Sequence, residues 1–126
     1  MIVIDNSAAV RFLLAEGNDA RIAGEWEMAA PEFIDLEFMN ALRRIERERN
    51  LSQTGSKEIL RSFLALPIMR FAVRELVDEI WSHRHNITPY DAAYVTLAKA
   101  LAAPLLSCDG RLLRAASGIV ETRTLG

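Results

Sequence analysis

Four acidic residues in separate parts of the sequence could meet at one site. They are Asp5, Glu37, Asp91 and Asp109, and each lies at the end of a predicted element or at the border of a predicted core. Carboxylates ~4 Å apart repel one another by ~4 kcal/mol at an effective dielectric constant of 20. Such a cluster therefore needs protons, arginines or a divalent cation. Oxygen ligands alone favour Mg²⁺ or Mn²⁺ over Zn²⁺.

The elements that would position these acids alternate between strand and helix patterns. Strands are predicted at residues 2–4, 28–30, 68–73, 104–107 and 119–124, and helices at 7–16, 19–27, 32–50, 51–66, 74–85, 88–102 and 109–116. A short, continuously apolar run such as 2–4 is typical of a strand buried on both faces of a parallel sheet. We predict an α/β fold, a three-layer α/β/α sandwich with a short, mostly parallel central sheet, in a single domain of residues 1–126.

The carboxyl ends of parallel strands share one edge of a sheet, where ligands bind. Asp5 and Asp109 each follow a predicted strand and would be neighbours there. Each could instead cap a helix, but we expect Ser7 to cap the first helix and leave Asp5 free. Asp91, near a helix start, shares a face with small apolar residues, where a carboxylate is best explained by a cationic partner.

Composition limits the other possibilities. The chain has 126 residues, a net charge of −2 and no apolar run near the roughly 20 residues that span a bilayer. The single cysteine, Cys108, excludes an internal disulfide and, with no signal-like segment, favours a cytoplasmic protein. The charge argues against a protein that coats nucleic acid generally, although bound divalent cations would change its sign. Arginine, the better bidentate phosphate ligand, makes up 13 of the 15 basic residues.

Four segments resemble the motifs of PIN-domain nucleases, and in particular of the VapC-type toxins of bacterial toxin–antitoxin pairs. They read IDNSA at residues 4–8, EFMNALRR at 37–44, TPYDAAYVTLA at 88–98 and PLLSCDGRL at 104–112. They occur in the family's order, and the resemblance that they carry extends over nearly the whole chain. Two positions depart from the pattern, because Ser107 stands where threonine is more common and Gly110 where a charged residue is common.

The resemblance implies a PIN-like fold and an endoribonuclease that depends on Mg²⁺ or Mn²⁺. Asp5, Glu37, Asp91 and Asp109 would bind one or two metal ions, and a metal-activated water would cleave RNA to leave 5′-phosphate and 3′-hydroxyl ends. Three residues would orient the carboxylates and waters: Ser7, Asn40 and Ser107. Two arginines could contact the RNA backbone: Arg44 and Arg111. The family also implies a homodimer and a small antitoxin that blocks the acidic pocket, with no membrane association.

Two other classes of protein remain open at this point. A phosphatase of the haloacid dehalogenase type also has an aspartate after its first strand, but it needs a second aspartate two residues later, where this chain has Ser7. A non-catalytic binding or regulatory module could share the fold. One version, a receiver domain, needs a lysine after a late strand, whereas Lys99 lies within a predicted helix.

Overall fold

The computed structural model describes residues 1–14 and 27–125, and its strands form one sheet in the order β3-β2-β1-β4-β5. The strands are β1 (Ile2–Ile4), β2 (Met28–Pro31), β3 (Ile68–Phe71), β4 (Leu105–Leu106) and β5 (Thr122–Arg123). The helices are α1 (Asn6–Leu14), α2 (Ile34–Glu48), α3 (Gln53–Ala65), α4 (Val77–Ser82), α5 (Pro89–Ala100) and α6 (Gly110–Ala116), with a 3₁₀ turn at Arg74–Leu76. Every strand pair is parallel, so the predicted α/β class is confirmed.

The central strand is covered on both faces. Ile2, Val3 and Ile4 are at most 1% exposed, although successive residues of a strand point to opposite faces. Helix α5 packs against β1, β2 and β4, and seven of its twelve residues are buried. These facts confirm the three-layer arrangement. None of the helices within the described residues is long and apolar enough to cross a membrane.

Two side-chain contacts fix the position of α2, the helix that carries Glu37. The rings of Phe38 on α2 and Phe63 on α3 stack with their centroids 3.9 Å apart. The Arg70 guanidinium, on β3, donates to both carboxylate oxygens of Asp35 at 2.7–2.9 Å. Because Asp35 lies in the first turn of α2, this ion pair ties the start of the helix to the sheet.

Several predicted boundaries moved. Pro31 ends β2, opposite Phe71, and does not begin the next helix, which starts at Ile34 after a turn. The strand predicted at 68–73 ends at Phe71, and the helix predicted at 74–85 is a 3₁₀ turn followed by α4. The last strand is shorter than predicted but lies at the sheet edge, as expected. The end of the first predicted helix and nearly all of the helix predicted at 19–27 lie outside the described residues.

Two helices end with a residue in the left-handed conformation. Asn50, predicted as a C-terminal cap, has φ +49°, and the next amide donates to the Glu46 carbonyl at 3.0 Å. Ala102 has the same φ of +49°, and the amide of Ala103 donates to the Ala98 carbonyl at 2.9 Å. Asparagine tolerates this conformation, but alanine pays about 1–2 kcal/mol for it. The turn that leads from α5 into β4 is therefore strained.

We predict that Ala102→Gly stabilises the protein by about 0.5–1 kcal/mol, because glycine adopts a positive φ without a steric cost. The matched control is Ala100→Gly. Ala100 is also exposed but lies within α5, where glycine is unfavourable. Urea unfolding should move the midpoints of the two variants in opposite directions. Equal destabilisation of both would show that Ala102 is not strained.

Candidate active site

Asp5 is held at the carboxyl end of β1, where it meets the end of β4. The Asp5 amide donates to the Leu106 carbonyl at 3.1 Å, which places Ser107 beside Asp5. The Ser107 hydroxyl donates to Asp5 Oδ2 at 2.6 Å. The same hydroxyl accepts the Asp109 amide at 2.9 Å. Ser107 therefore links the two aspartates that follow strands.

Asp5, and not Ser7 as predicted, caps the first helix. Helix α1 begins at Asn6, and Asp5 Oδ1 accepts the Ala8 amide at 2.9 Å, so Asp5 caps this helix. The Ser7 hydroxyl instead donates to the Asp5 carboxylate, 2.8 and 2.9 Å from its two oxygens, and accepts the Cys108 amide at 2.9 Å. The expectation that Ser7 would replace Asp5 as the cap was wrong, because the helix starts one residue before Ser7.

Asp91 and Asp109 each lie at the start of a helix. Thr88 caps α5 by accepting the Asp91 amide at 3.2 Å, and Pro89 is the first residue of α5, both as predicted. Asp109 Oδ1 accepts the amides of Arg111 and Leu112 at 3.0 and 3.4 Å, so Asp109 does cap α6. Capping engages one of its carboxylate oxygens.

Tyr94 is a site residue that sequence reasoning missed. Its hydroxyl donates to Glu37 Oε1 at 2.6 Å, and the side chain is 2% exposed. Tyr94 lies three residues after Asp91 on α5, so both belong to one face of the helix. That spacing was the available signal, since a tyrosine buried beside an acid usually hydrogen-bonds with it. Tyr94 thereby joins α5 to Glu37 on α2.

The pKa values of Asp5, Glu37 and Asp91 are raised, and the neighbouring charges that contribute to these rises belong to the same set of four acids. Burial raises the pKa of Asp5 most; hydrogen bonds from Ser107, Ala8 and Ser7 lower it, and the charge of Asp109 raises it.

Burial also raises the pKa of Glu37 most; the Tyr94 hydrogen bond lowers it, and the charges of Asp5 and Asp91 raise it. For Asp91, burial again raises the pKa, Asp109 adds to the rise and Arg111 opposes it. These charge effects connect each acid with two others, and we call the four residues the ring of acids: Asp5, Glu37, Asp91 and Asp109.

The predicted residues Arg111, Asn40 and Arg44 differ in how close they lie to the acids. Arg111 is exposed, and its charge reaches Asp91. Asn40 and Arg44 are exposed on α2. Among the described residues, no side-chain hydrogen bond or ion pair joins either of them to an acid of the ring. The structure therefore brings Ser7, Ser107 and Arg111 to the acids but does not bring Asn40 or Arg44 into contact with them.

The donor set fits a hydrated divalent cation. All four groups offer carboxylate oxygens, and a cation would relieve both their burial and their repulsion. Within residues 1–14 and 27–125, no three His, Cys, Asp or Glu side chains are placed so that together they could hold a metal ion. A cation bound here would therefore be held partly through waters, as Mg²⁺ often is, since it usually keeps several waters and takes one or two carboxylates. Asn6 Oδ1, next to Asp5, is buried with no hydrogen-bond partner in the described part, and water could satisfy it.

The PIN domain family model matches residues 2–118. The chain belongs to the PIN-domain family. VapC ribonuclease Mb0985 of Mycobacterium bovis is 35% identical over 112 residues, which are 89% of this chain and 88% of that protein. Ribonuclease VapC12 of Mycobacterium tuberculosis is 35% identical over 116 residues and 89% of each chain. The resemblance to VapC-type PIN domains is therefore confirmed, and the haloacid dehalogenase and receiver alternatives fall away.

A solved structure supports the same fold. The crystal structure of PAE2754 from Pyrobaculum aerophilum matches with a TM-score of 0.68 and 19% sequence identity, over 96% of this chain and 89% of that chain. At this identity the likeness concerns the fold alone.

We predict that Glu37→Gln stabilises the metal-free protein at neutral pH, by about 2–5 °C in melting temperature. The raised pKa of Glu37 means that the folded state holds its proton more tightly than the unfolded state. The stability that this gives is present below the unfolded pKa and is lost as the pH rises through the folded pKa. Glutamine avoids the loss and can still accept the Tyr94 hydrogen bond.

The measurement is thermal unfolding in EDTA between pH 4 and 8. Glu58→Gln, an exposed acid on α3, is the control and should change little. In the wild type, added Mg²⁺ should recover part of the stability lost at neutral pH. A Glu37→Gln variant that melts below the wild type at pH 7 in EDTA would contradict the electrostatic account.

Proposed function

We propose that this protein is an endoribonuclease that depends on Mg²⁺ or Mn²⁺ and acts as the toxin of a type II toxin–antitoxin pair. The observation that carries the proposal is the set of four acids in which each lies close enough to two others for their charges to repel. Its relatives named ribonucleases supply the reaction class. Like charges held together in buried and half-buried positions cost stability, and a cation bound during hydrolysis of a phosphodiester explains why they are kept together.

Asp5, Glu37, Asp91 and Asp109 would hold the metal, directly or through waters. When bound, Mg²⁺ or Mn²⁺ supplies a more acidic water and offsets charge on the phosphate. In the hydrolysis, an oxygen of water forms a bond to phosphorus and the bond to the 3′ oxygen breaks. The 3′ oxygen takes up a proton, which leaves 5′-phosphate and 3′-hydroxyl ends.

The chain's own contribution is to fix the carboxylates before substrate arrives. Asp5 has roughly four acceptor positions. Three hydrogens are directed at them, from the Ser7 hydroxyl, the Ala8 amide and the Ser107 hydroxyl. One position is left for a cation or its water. Tyr94 holds Glu37 in a similar way, by donating a hydrogen bond to one of the two carboxylate oxygens of Glu37. Side chains locked in this way need no reorganisation when the metal binds.

The proposed partners follow from the same site and from the family. RNA is the substrate. A small antitoxin would neutralise the acidic ring with a basic side chain, which opposite charge favours. We further propose a homodimer in the cytoplasm, with the chain acting as one PIN domain.

We predict that Asp5→Asn and Asp91→Asn each abolish RNA cleavage. Each removes one negative charge from the ring and should cost at least the roughly 10- to 100-fold that loss of a residue supporting a metal ligand costs. Asp78→Asn, an exposed acid on α4, is the matched control. The assay follows cleavage of structured and single-stranded RNA in Mg²⁺, in Mn²⁺ and in EDTA.

Cleavage that persists in EDTA, or in both Asp5→Asn and Asp91→Asn, would overturn the four-acid mechanism. If no RNA were cleaved under any condition, a non-catalytic module of the same fold would be favoured. The end groups of the product give a further check, since 3′-phosphate ends would contradict the proposed direction of bond breakage.

We predict that Tyr94→Phe raises the Mn²⁺ concentration needed for half-maximal cleavage by roughly 10-fold, because Glu37 loses the donor that holds it. Phenylalanine keeps the ring that packs edge-on against Phe33, with centroids 5.7 Å apart. The control is Tyr90→Phe, because Tyr90 packs on the same Phe33 ring at 5.2 Å but is 58% exposed. Equal metal dependence of the two variants would remove Tyr94 from the site.

A further inference from the structure

A surface pocket of about 300 Å³ lies directly beside Asp91. Its walls are residues 84–89, which lead into α5, together with Asp91 on α5 and Arg111 in the first turn of α6. We call it the Arg84 pocket. Since Asp91 belongs to the ring of acids, the pocket is continuous with the candidate active site.

The pocket is cationic where the ring is acidic. Arg84 and Arg111 line it together with His85, and Asp91 is the one acid among the described residues that line it. The charge of Arg111 lowers the pKa of Asp91, so the guanidinium lies within electrostatic reach of that carboxylate. The ion pairs found among residues 1–14 and 27–125 involve neither Arg84 nor Arg111.

Arg84 is held in place without using all of its donors. Its guanidinium lies over the Trp81 ring, 5.0 Å from the centroid, and Nη1 donates to the Trp81 carbonyl at 3.1 Å. The backbone around it is also fixed, because the Asn86 and Ile87 amides both donate to the His83 carbonyl at 3.0–3.1 Å. Among the described residues, no hydrogen-bond acceptor contacts the other guanidinium donors of Arg84, and the planar guanidinium suits a phosphate.

We propose that the Arg84 pocket binds a backbone phosphate of an RNA strand, next to the phosphate that is cleaved, with Arg84 and Arg111 as its ligands. The inference rests on the proposed function and adds to it a binding site for the substrate. An RNA strand that places one phosphate at the acids must carry its next phosphate past them. The carboxylates repel that phosphate, and the cationic side chains that line the pocket beside Asp91 compensate.

The test measures RNA binding separately from cleavage. An unstructured, fluorescein-labelled RNA oligonucleotide of mixed sequence is titrated with protein carrying Asp5→Asn, so that no cleavage occurs. Added to that background, Arg84→Ala and Arg111→Ala should each weaken binding about fivefold and to the same degree for different sequences. The slope of log affinity against log salt should become shallower by about 0.7 for each lost phosphate contact. The control is Arg61→Ala, an exposed arginine on α3 outside the pocket.

A second measurement uses the cleaving enzyme. Because a contact to a neighbouring phosphate is the same before and during the reaction, Arg84→Ala should raise KM and leave kcat nearly unchanged. Arg84→Lys keeps the positive charge but not the planar guanidinium, and should recover part of the RNA affinity that Arg84→Ala loses.

Equal RNA affinity and salt slope for the Arg84→Ala and Arg61→Ala variants would overturn the inference, as would no RNA binding by any variant. Loss of kcat with unchanged KM would also overturn it, because Arg84 would then act on the reaction itself. If the wild type cleaved no RNA, the proposed function would fail, but the binding titration would still decide whether the pocket holds a phosphate.

Discussion

The Asp5 side chain is a buried carboxylate, 4% exposed, and the surrounding structure supplies the hydrogen-bond donors that hold it. Its donors come from the first turn of α1 and from the end of β4. Because the ends of β1 and β4 are neighbours in the sheet, Ser107 can reach Asp5 and also accept the Asp109 amide. The parallel pairing of these two strands therefore brings Asp109 towards Asp5, whereas the capping of α1 by Asp5 is a local contact.

The other two acids are brought to Asp5 by packing over longer distances. Glu37 depends on α2, which the Arg70–Asp35 ion pair and the Phe38–Phe63 stack hold against β3 and α3. Tyr94 then connects Glu37 to the buried helix that carries Asp91. The result is a set of like charges that the fold holds together against their repulsion. Helix capping explains Asp5 and Asp109 one at a time, but it does not explain why four acids are held where their charges repel one another, and a bound cation is the most direct explanation of that.

The sequence predicted what depends on local pattern. Apolar runs located the strands, and Thr88 with Pro89 located the start of α5. It assigned the cap of the first helix to Ser7 and not to Asp5, because both residue types cap helices well and the start of the helix was predicted one residue too late. Tyr94 was missed because its partner is 57 residues away in sequence. Asn40 and Arg44 were assigned to the site from the family resemblance; both are exposed on α2, and their proposed roles stay predictions.

The central claim is that the four carboxylates form one electrostatically coupled site for a divalent cation. Carbon-13 NMR of labelled aspartate and glutamate carboxyl groups, titrated in EDTA and again in Mg²⁺, tests it most directly. The account predicts raised pKa values for Asp5, Glu37 and Asp91 in EDTA. Those of Asp5 and Asp91 should fall when Asp109→Asn removes one charge, and all three should fall when Mg²⁺ is added. Ordinary pKa values that respond neither to Mg²⁺ nor to that substitution would contradict it.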